Sequence, residues 1–496
     1  MVKMKMNVNK NDWIDGVALT AIGAYMVGCA CIGSDFSELH LTLSFLSFPI
    51  FLGELLIAFC LLCLYIKHIS HPIEWTLWQK RLWMFIACIV VYALYDFCHW
   101  GPLAFRNAAM YYYVIFLLFG YVFYNPRVIG ASIPFVIPIL IYLTSIFHDA
   151  NYFWLTAVVM FILTMRFIPS LPARLISIAI FLLLCNYHLL FAGSRTNLLS
   201  ALMALSFLAY VYLKHFSPMT KTKKIAITGM IIAALLLGLF LFADRNGIKS
   251  IVEYKELKSI YIENKKDIKR LDKFYVPIDF KPALYHENHE KPVVAATVGV
   301  STKESIQPAT KETPSPAQGG ASPLATDSSV KQSWEDRIIK QPASRSLTHA
   351  QYNMIFRVFI WEDMFNDFYH SPLLLGVGLG RPQRSHSLEV LKWGQEEWHR
   401  DGWITPHNSY FHVVYRLGIV GILLIVVLAL SLYHLYRQFV ELKSFVGILL
   451  VGILVYWLTA CNFLVILELP HYAILFWSLW GIALAFSRQL KQGQHV

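Results

Sequence analysis

The sequence predicts an all-α integral membrane protein of about twelve transmembrane helices with one large loop domain outside the bilayer. Three observations predict it. The 496 residues are 57% hydrophobic and only 15% charged. They contain many separate apolar runs of about 20 residues, the length a helix needs to cross the hydrocarbon core. Lysines and arginines recur at alternate gaps between these runs, the pattern produced when basic loops are retained in the cytoplasm. The formal net charge of +11 belongs to those loops, so it does not point to a nucleic-acid partner.

The first run, 14–33, follows Lys3, Lys5 and Lys10; it is long and lacks a small-residue cleavage site, so it is expected to be an uncleaved span. Further spans are expected at 41–66, 82–98, 107–124, 128–147, 150–168, 173–192, 196–213 and 225–243, then at 409–436, 444–467 and 471–487. The chain thus divides into a first membrane part (1–243), a loop domain (244–408) and a second membrane part (409–496). Lys67/Lys80/Arg81, Arg127, Arg166/Arg174, Lys214/Lys221, Arg437/Lys443 and Arg488/Lys491 fall on one side with both chain ends. That side is the cytoplasm, which makes 244–408 a loop domain on the opposite, outer side of the membrane. Within it, Tyr254 to Phe274 is charged and helical in pattern. The tract 291–331 is rich in Pro, Ser, Thr, Ala and Gly and too poor in apolar residues for a core, so it is expected to be flexible. The spacing of Ile355, Phe356, Phe359, Ile360 and Met364 predicts an amphipathic helix over 352–369. All eight cysteines lie in apolar runs, and no CxxC pair sits in a polar loop, so neither a zinc site nor a disulfide framework is indicated and no cofactor is expected.

The stretch Trp403 to Gly421 organises the rest. It sets Pro406, His407, Asn408 and Ser409 where the polar loop gives way to a membrane run. Pro406 suits a helix start, and Asn408 or Ser409 can cap the first free amides. A helix N-terminus carries partial positive charge and unpaired N–H donors, so an anionic group is welcome beside His407 and Asn408.

Against so regular a charge pattern, the arginines on the outer face stand out. Arg195 lies in a tight turn between spans, beside another outward-facing helix start, where it suits a phosphate or snorkels to lipid headgroups. Arg357 shares a helical face with Trp361; it is free for a ligand, or it stacks on the tryptophan or pairs with Asp363. Arg106 has either a substrate role or a structural pairing with Asp96. Glu54, read as lying near the middle of the second span, is a functional candidate or a protonated carboxyl held by polar neighbours. Arg416 follows Asn408 and His412 at spacings of four and eight, so their stripe faces the protein interior or a wet cavity. The Gly376, Gly378, Gly380 run lacks strand–turn–helix context; its glycines suit a sharp turn back to the membrane, not a dinucleotide.

A histidine and several arginines at one membrane face suit a lipid-linked diphosphate donor: cations neutralise the departing diphosphate while the histidine takes a proton from the attacking hydroxyl. Gly193-Ser194-Arg195, Arg357 with Trp361, the run Ser371 to Gly380, Pro406-His407-Asn408 and Leu417 to Gly421 resemble the signature of the O-antigen ligase and polymerase superfamily. The resemblance spans the second half of the chain, and the topology agrees with it; it implies a bacterial inner membrane protein whose loop domain, 244–408, and active site face the periplasm. It implies metal-independent, inverting transfer of a glycan from undecaprenyl diphosphate. In a ligase the acceptor is a sugar hydroxyl of lipid A–core. It makes His407 the base, Arg195 and Arg357 diphosphate ligands, and Asn408, Arg106, Trp361 and Arg416 further substrate-binding candidates. Two features depart from the common pattern: Arg416 stands before Leu417-Gly418 at a position that is frequently acidic in relatives, and the tract at 291–331 is an insertion.

Within the superfamily a polymerase or a protein O-oligosaccharyltransferase uses a different acceptor. Outside it, a transporter of lipid-linked glycan would use Glu54, Asp96 and Arg416 near the midplane, with internal pseudo-symmetry that the sequence does not show.

Overall fold

A computed structural model describes residues 12–32, 34–41, 50–129, 195–216, 220, 258–259, 261–272, 349–391 and 404–493. The spans expected between 130 and 194 and at 225–243, and the tract 291–331, lie outside the described residues. Residues 285–354 form a small unit of their own, of which only the first turn of one helix is described.

In chain order the described elements are α1 (Asp12–Ile32), α2 (Ser34–Ser37), β1 (His40–Leu41), β2 (Ile50–Phe51), α3 (Leu52–Ser70), α4 (Leu77–Trp100), α5 (Leu103–Tyr112) and α6 (Ile115–Val122). There follow α7 (Arg195–Val211), α8 (His349–Tyr369), α9 (His386–Val390), α10 (Ser409–Leu417), α11 (Ile419–Glu441), α12 (Phe445–Ala460) and α13 (Pro470–Lys491). Among the described residues, five stretches are long and apolar enough to cross a membrane: α3, α4, α5 with α6, α11 and α13. The chain is therefore a helical membrane protein.

Opposite ends of the bundle carry different chemistry. At one end Lys67 Nζ pairs with Asp15 (2.5 Å) and donates to the Val122 carbonyl (2.8 Å), while Arg488 donates to the Tyr121 hydroxyl (2.9 Å). This end gathers the first turn of α1 and the last turns of α3, α6 and α13. At the other end Ser37 and His471 share a hydrogen bond of 3.1 Å.

Among the described helices, α6 and α13 bring their backbones into close contact, and two glycines permit it. A Cβ at Gly120 would stand 2.3 Å from the Ser478 carbonyl oxygen, and one at Gly481 would stand 2.1 Å from that of Leu117. Between apolar helices in lipid, such backbone approach supplies the dispersion contact that water-driven association cannot. Phe116, Phe119, Phe476, Trp477 and Trp480 fill the space around the crossing.

Three expected spans differ in their start or in the continuity of their helix. The second begins at Leu52, not at residue 41, after the antiparallel β1–β2 pair; extended upstream, the helix would hold Pro49 in its interior, where no amide N–H exists to continue it. The span expected at 107–124 is broken into α5 and α6, with three-residue turns from Phe116 N to Tyr113 O and Leu117 N to Val114 O, both 3.0 Å. Next to this break two adjacent tyrosines converge on one carboxylate. Tyr112 and Tyr113 both donate to Glu54 Oε1, at 2.6 and 2.8 Å, although successive helical side chains diverge by about 100°. Glu54 thus lies in the first turn of α3, held by polar neighbours.

The span expected at 409–436 is also broken, at Gly418 (φ +56°), into α10 and α11. A break buried inside the protein leaves carbonyls that water cannot reach. Several carbonyls at this end have donors. Val413 O accepts from Tyr111 OH (3.1 Å), Val414 O from Gly418 N (2.7 Å), Tyr415 O from Val377 N (2.9 Å) and Arg416 O from Gly378 N (3.2 Å). The glycine-rich loop after α8 is the partner that makes the break tenable. Gly376 (φ +62°) brings its α-carbon so close that a Cβ would meet the Tyr415 carbonyl oxygen at 2.4 Å.

Two substitutions test these contacts by thermal unfolding of the purified protein. Gly481→Val drives a branched side chain into backbone that cannot yield, costing at least about 1–3 kcal/mol, and is expected to lower the midpoint or abolish recovery of monodisperse protein. Gly376→Ala is expected to lower the midpoint more than Gly101→Ala, because Gly101 has a similar φ of +70° but open space where its Cβ would go. Equal effects would mean that backbone strain alone, and not the loop–helix contact, matters at Gly376.

Candidate functional site

The N-terminus of α10 is built by two local and two long-range hydrogen bonds. Asn408 is the N-cap, accepting from Phe411 N through Oδ1 at 2.9 Å, and the His412 amide donates to the Asn408 carbonyl at 3.0 Å. Just before it, Trp361 Nε1 donates to the Pro406 carbonyl at 2.6 Å; just after it, the Ser409 amide donates to the Cys461 carbonyl at 2.8 Å. His407 is pinned between these anchors with φ +49°, a left-handed conformation that a side-chain-bearing residue adopts at a cost of about 1 kcal/mol or more. Strain of this kind persists only where the surroundings over-determine it, and it clusters at functional sites.

His407 is half-buried, and among the described residues its ring makes no hydrogen bond. Burial, and next the charge of Arg357, push its pKa below the usual histidine value; Glu468 opposes them. The imidazole is therefore neutral near pH 7, with a lone pair available. Arg357 comes from α8, one turn before Trp361, as the shared helical face predicts. Its NH1 reaches the Phe463 carbonyl only at 3.5 Å, and among the described residues its buried Nε has no acceptor. Asp363, the expected alternative partner, is engaged elsewhere: it accepts from Ser385 Oγ (2.5 Å), Ser387 N (2.9 Å) and Ser387 Oγ (2.9 Å).

Glu468, in the loop between α12 and α13, lies behind the histidine and was not among the expected site residues. Its Oε2 accepts from Ser409 Oγ at 2.6 Å, and its Oε1 meets His412 Nδ1 at 3.1 Å. Arg416 Nε donates to His412 Nε2 at 3.1 Å, and a guanidinium can only donate. His412 Nε2 therefore carries the lone pair, and its Nδ1–H donates to Glu468. The sequence signal was an acidic residue in a short outer loop next to the helix-starting Pro470.

The remaining expected site residues separate. Arg416 faces the interior, 1% exposed, and besides His412 it donates to the Gly378 carbonyl (3.2 Å) and the Arg381 carbonyl (2.5 Å). This arginine ties the glycine-rich loop to α10. Trp361 likewise positions the His407 backbone. Asp96 accepts from the amides of Leu379 (2.6 Å) and Gly380 (2.9 Å), so its role is to hold that same loop and not the expected pairing with Arg106. The Arg106 side chain is exposed and lies within electrostatic reach of Arg416, Glu468 and Glu38. Arg195 is the first residue of α7, and its side chain lies outside the described residues. Among the described residues no three His, Cys, Asp or Glu side chains gather as metal ligands.

The arrangement offers a neutral base beside an under-used cation, at the head of a helix, with a carboxylate behind. No curated protein matches the sequence. A family model described as O-antigen ligase matches residues 178–426, half of the 496 residues, and takes in Arg195, Arg357, Trp361, His407, Asn408 and Arg416. Arg106, Asp96 and Glu468 fall outside the matched span. The chain is a member of the O-antigen ligase family.

Proposed function

We propose that the protein is a glycosyltransferase of the ligase type, moving O-antigen polysaccharide from undecaprenyl diphosphate to a sugar hydroxyl of lipid A–core at the periplasmic face. The observation that carries this reading is the juxtaposition of strained, neutral His407 with Arg357, whose buried Nε lacks an acceptor. The acceptor oxygen attacks the anomeric carbon from the face opposite the leaving group. The new C–O bond forms as the bond to diphosphate breaks, inverting the centre. The hydroxyl proton passes to the lone pair of His407, and the leaving diphosphate keeps the bonding electrons. Arg357 and Arg195, with Arg106, neutralise the charge that builds on it. Asn408 fixes the helix start, and its amide neighbours add partial positive charge. No metal is required by this scheme.

The direct test is transfer in vitro by purified protein, with undecaprenyl-diphosphate glycan, lipid A–core and a chelator. His407→Ala is expected to fold and to lose activity by about 10²–10⁴-fold, the usual worth of a positioned general base. Lengthening of the lipid-linked glycan with the core untouched would make the protein a polymerase. Undiminished ligation by the variant would remove His407 from the role of base.

The electrostatics give a second test. The reactive form is neutral His407, so log kcat/KM is expected to fall as pH drops through a midpoint below the ordinary histidine value of about 6.5. Arg357→Gln removes a charge that lowers this pKa and should move the midpoint up, whatever it does to the amplitude. Glu468→Gln removes a charge that raises it and should move the midpoint down. A midpoint unmoved by either substitution would mean that another group sets the acid limb.

A further inference from the structure

Helix α8 has two apolar faces, and only one is used by the fold. Ile355, Phe356, Phe359, Ile360 and Met364 are buried in the core, as their spacing predicts. Val358, Phe365 and Tyr369, at spacings of seven and four, form a second stripe that is exposed, Phe365 at 61% and Tyr369 at 78%. The turn that follows continues it with Leu373, Leu374 (62%) and Leu375, all exposed. So large a contiguous apolar surface is costly in water and marks an interaction face.

What covers it is indicated by where the turn is fastened. Ile419 N donates to the Leu373 carbonyl at 3.1 Å, joining the turn to the first residue of α11. That helix is long and apolar enough to cross a membrane. Its own exposed residues, Ile419, Ile422, Leu423, Val426 and Leu430, form one stripe that faces lipid. The Leu373–Leu375 turn extends that stripe at its head. Tyr369 and the partly exposed Trp100 supply the amphipathic aromatics typical of a bilayer boundary, with His370 exposed beside them.

We infer that the second half of α8 and the Leu373–Leu375 turn are seated in the outer boundary of the bilayer, docked on lipid and not exposed to the aqueous phase. The C-terminal part of the expected extramembrane domain is therefore an interfacial element. Arg357 precedes Val358 on this helix, and Trp361 holds the His407 backbone. Seating α8 in lipid sets the height of both groups near the level of a headgroup phosphate. Only that last consequence rests on the proposed reaction.

The test is photocrosslinking in lipid nanodiscs, which needs no transfer activity and so fails separately from the reading above. p-Benzoylphenylalanine is placed at Leu374 in the otherwise native chain, at Ile422 as a lipid-facing reference and at His386 as an exposed polar reference. After illumination, intact-protein mass spectrometry is expected to show the mass of one phospholipid added at Leu374 to an extent comparable with Ile422, and little at His386. A second probe at Phe365 covers the case in which the Leu374 variant does not fold. Adducts at Leu374 or Phe365 to protein alone, or no lipid adduct there while Ile422 is labelled, would overturn the inference.

Discussion

The fold of the candidate site depends on one interrupted helix. Where Gly418 stops α10 after nine residues, carbonyls at its buried end lose their helical donors, and each must find another or cost about 1–3 kcal/mol. Those of Tyr415 and Arg416 are served by amides of the glycine-rich loop, Gly418 N closes the last helical bond to Val414, and Val413 accepts from Tyr111. The loop is held in turn: Asp96 binds the Leu379 and Gly380 amides, Asn107 Nδ2 donates to the Leu379 carbonyl (2.7 Å), and Arg416 grips two loop carbonyls. Distant parts of the chain, α4, α5 and the segment after α8, therefore converge on the C-terminal end of one short helix. With that end fixed, the N-terminal end has a defined place as well.

The two ends of α10 are treated differently, and the difference is electrostatic. The C-terminal end is closed by neutral backbone donors and carries the Arg416 guanidinium, complementing the negative pole of the helix. At the N-terminal end lie His407, whose ring is unengaged among the described residues, and Glu468, which grips Ser409 and His412 from behind. The line Arg416 to His412 to Glu468 is ordered by donor logic alone. Because an arginine cannot accept, the imidazole between it and the carboxylate has a single neutral tautomer compatible with both bonds. Glu468, gripped by Ser409 and His412, opposes the lowering of the His407 pKa by burial and Arg357.

Much of this was legible in the sequence, and the rest was illegible for physical reasons. Membrane helices announce themselves by apolar length, and the buried face of α8 by its 3.6-residue period. Asn408 as cap, and the shared face of Arg357 and Trp361, follow from local geometry. The breaks were hidden because hydropathy runs straight through Tyr113-Val114 and Gly418; apolar content measures residence in the bilayer, not continuity of the helix. Arg416 was placed correctly on its stripe, but spacing cannot say whether an inward arginine meets substrate or the carbonyls of a loop some 40 residues upstream. Glu468 was illegible because its partners, Ser409 and His412, are more than 50 residues away in the chain. Asp96 illustrates the same limit: an arginine ten residues on looked like its natural partner, yet two amides nearly 300 residues away hold it.

A base whose pKa is depressed is always ready to accept a proton but accepts it weakly, which at first sight argues against His407. The proposed donor resolves the conflict. An anionic diphosphate entering beside Arg357 offsets the positive charge that lowers the histidine pKa, and the same offset grows as negative charge accumulates on the leaving group. The imidazole thus gains basicity in step with bond cleavage, when the acceptor hydroxyl becomes acidic. Burial and Arg357 favour the neutral imidazole, and Glu468 opposes them; in the proposed reaction the diphosphate would join Glu468 in stabilising the imidazolium. A cation placed next to a general base is thus compatible with catalysis when the substrate brings the compensating charge, and it makes proton transfer conditional on a bound donor.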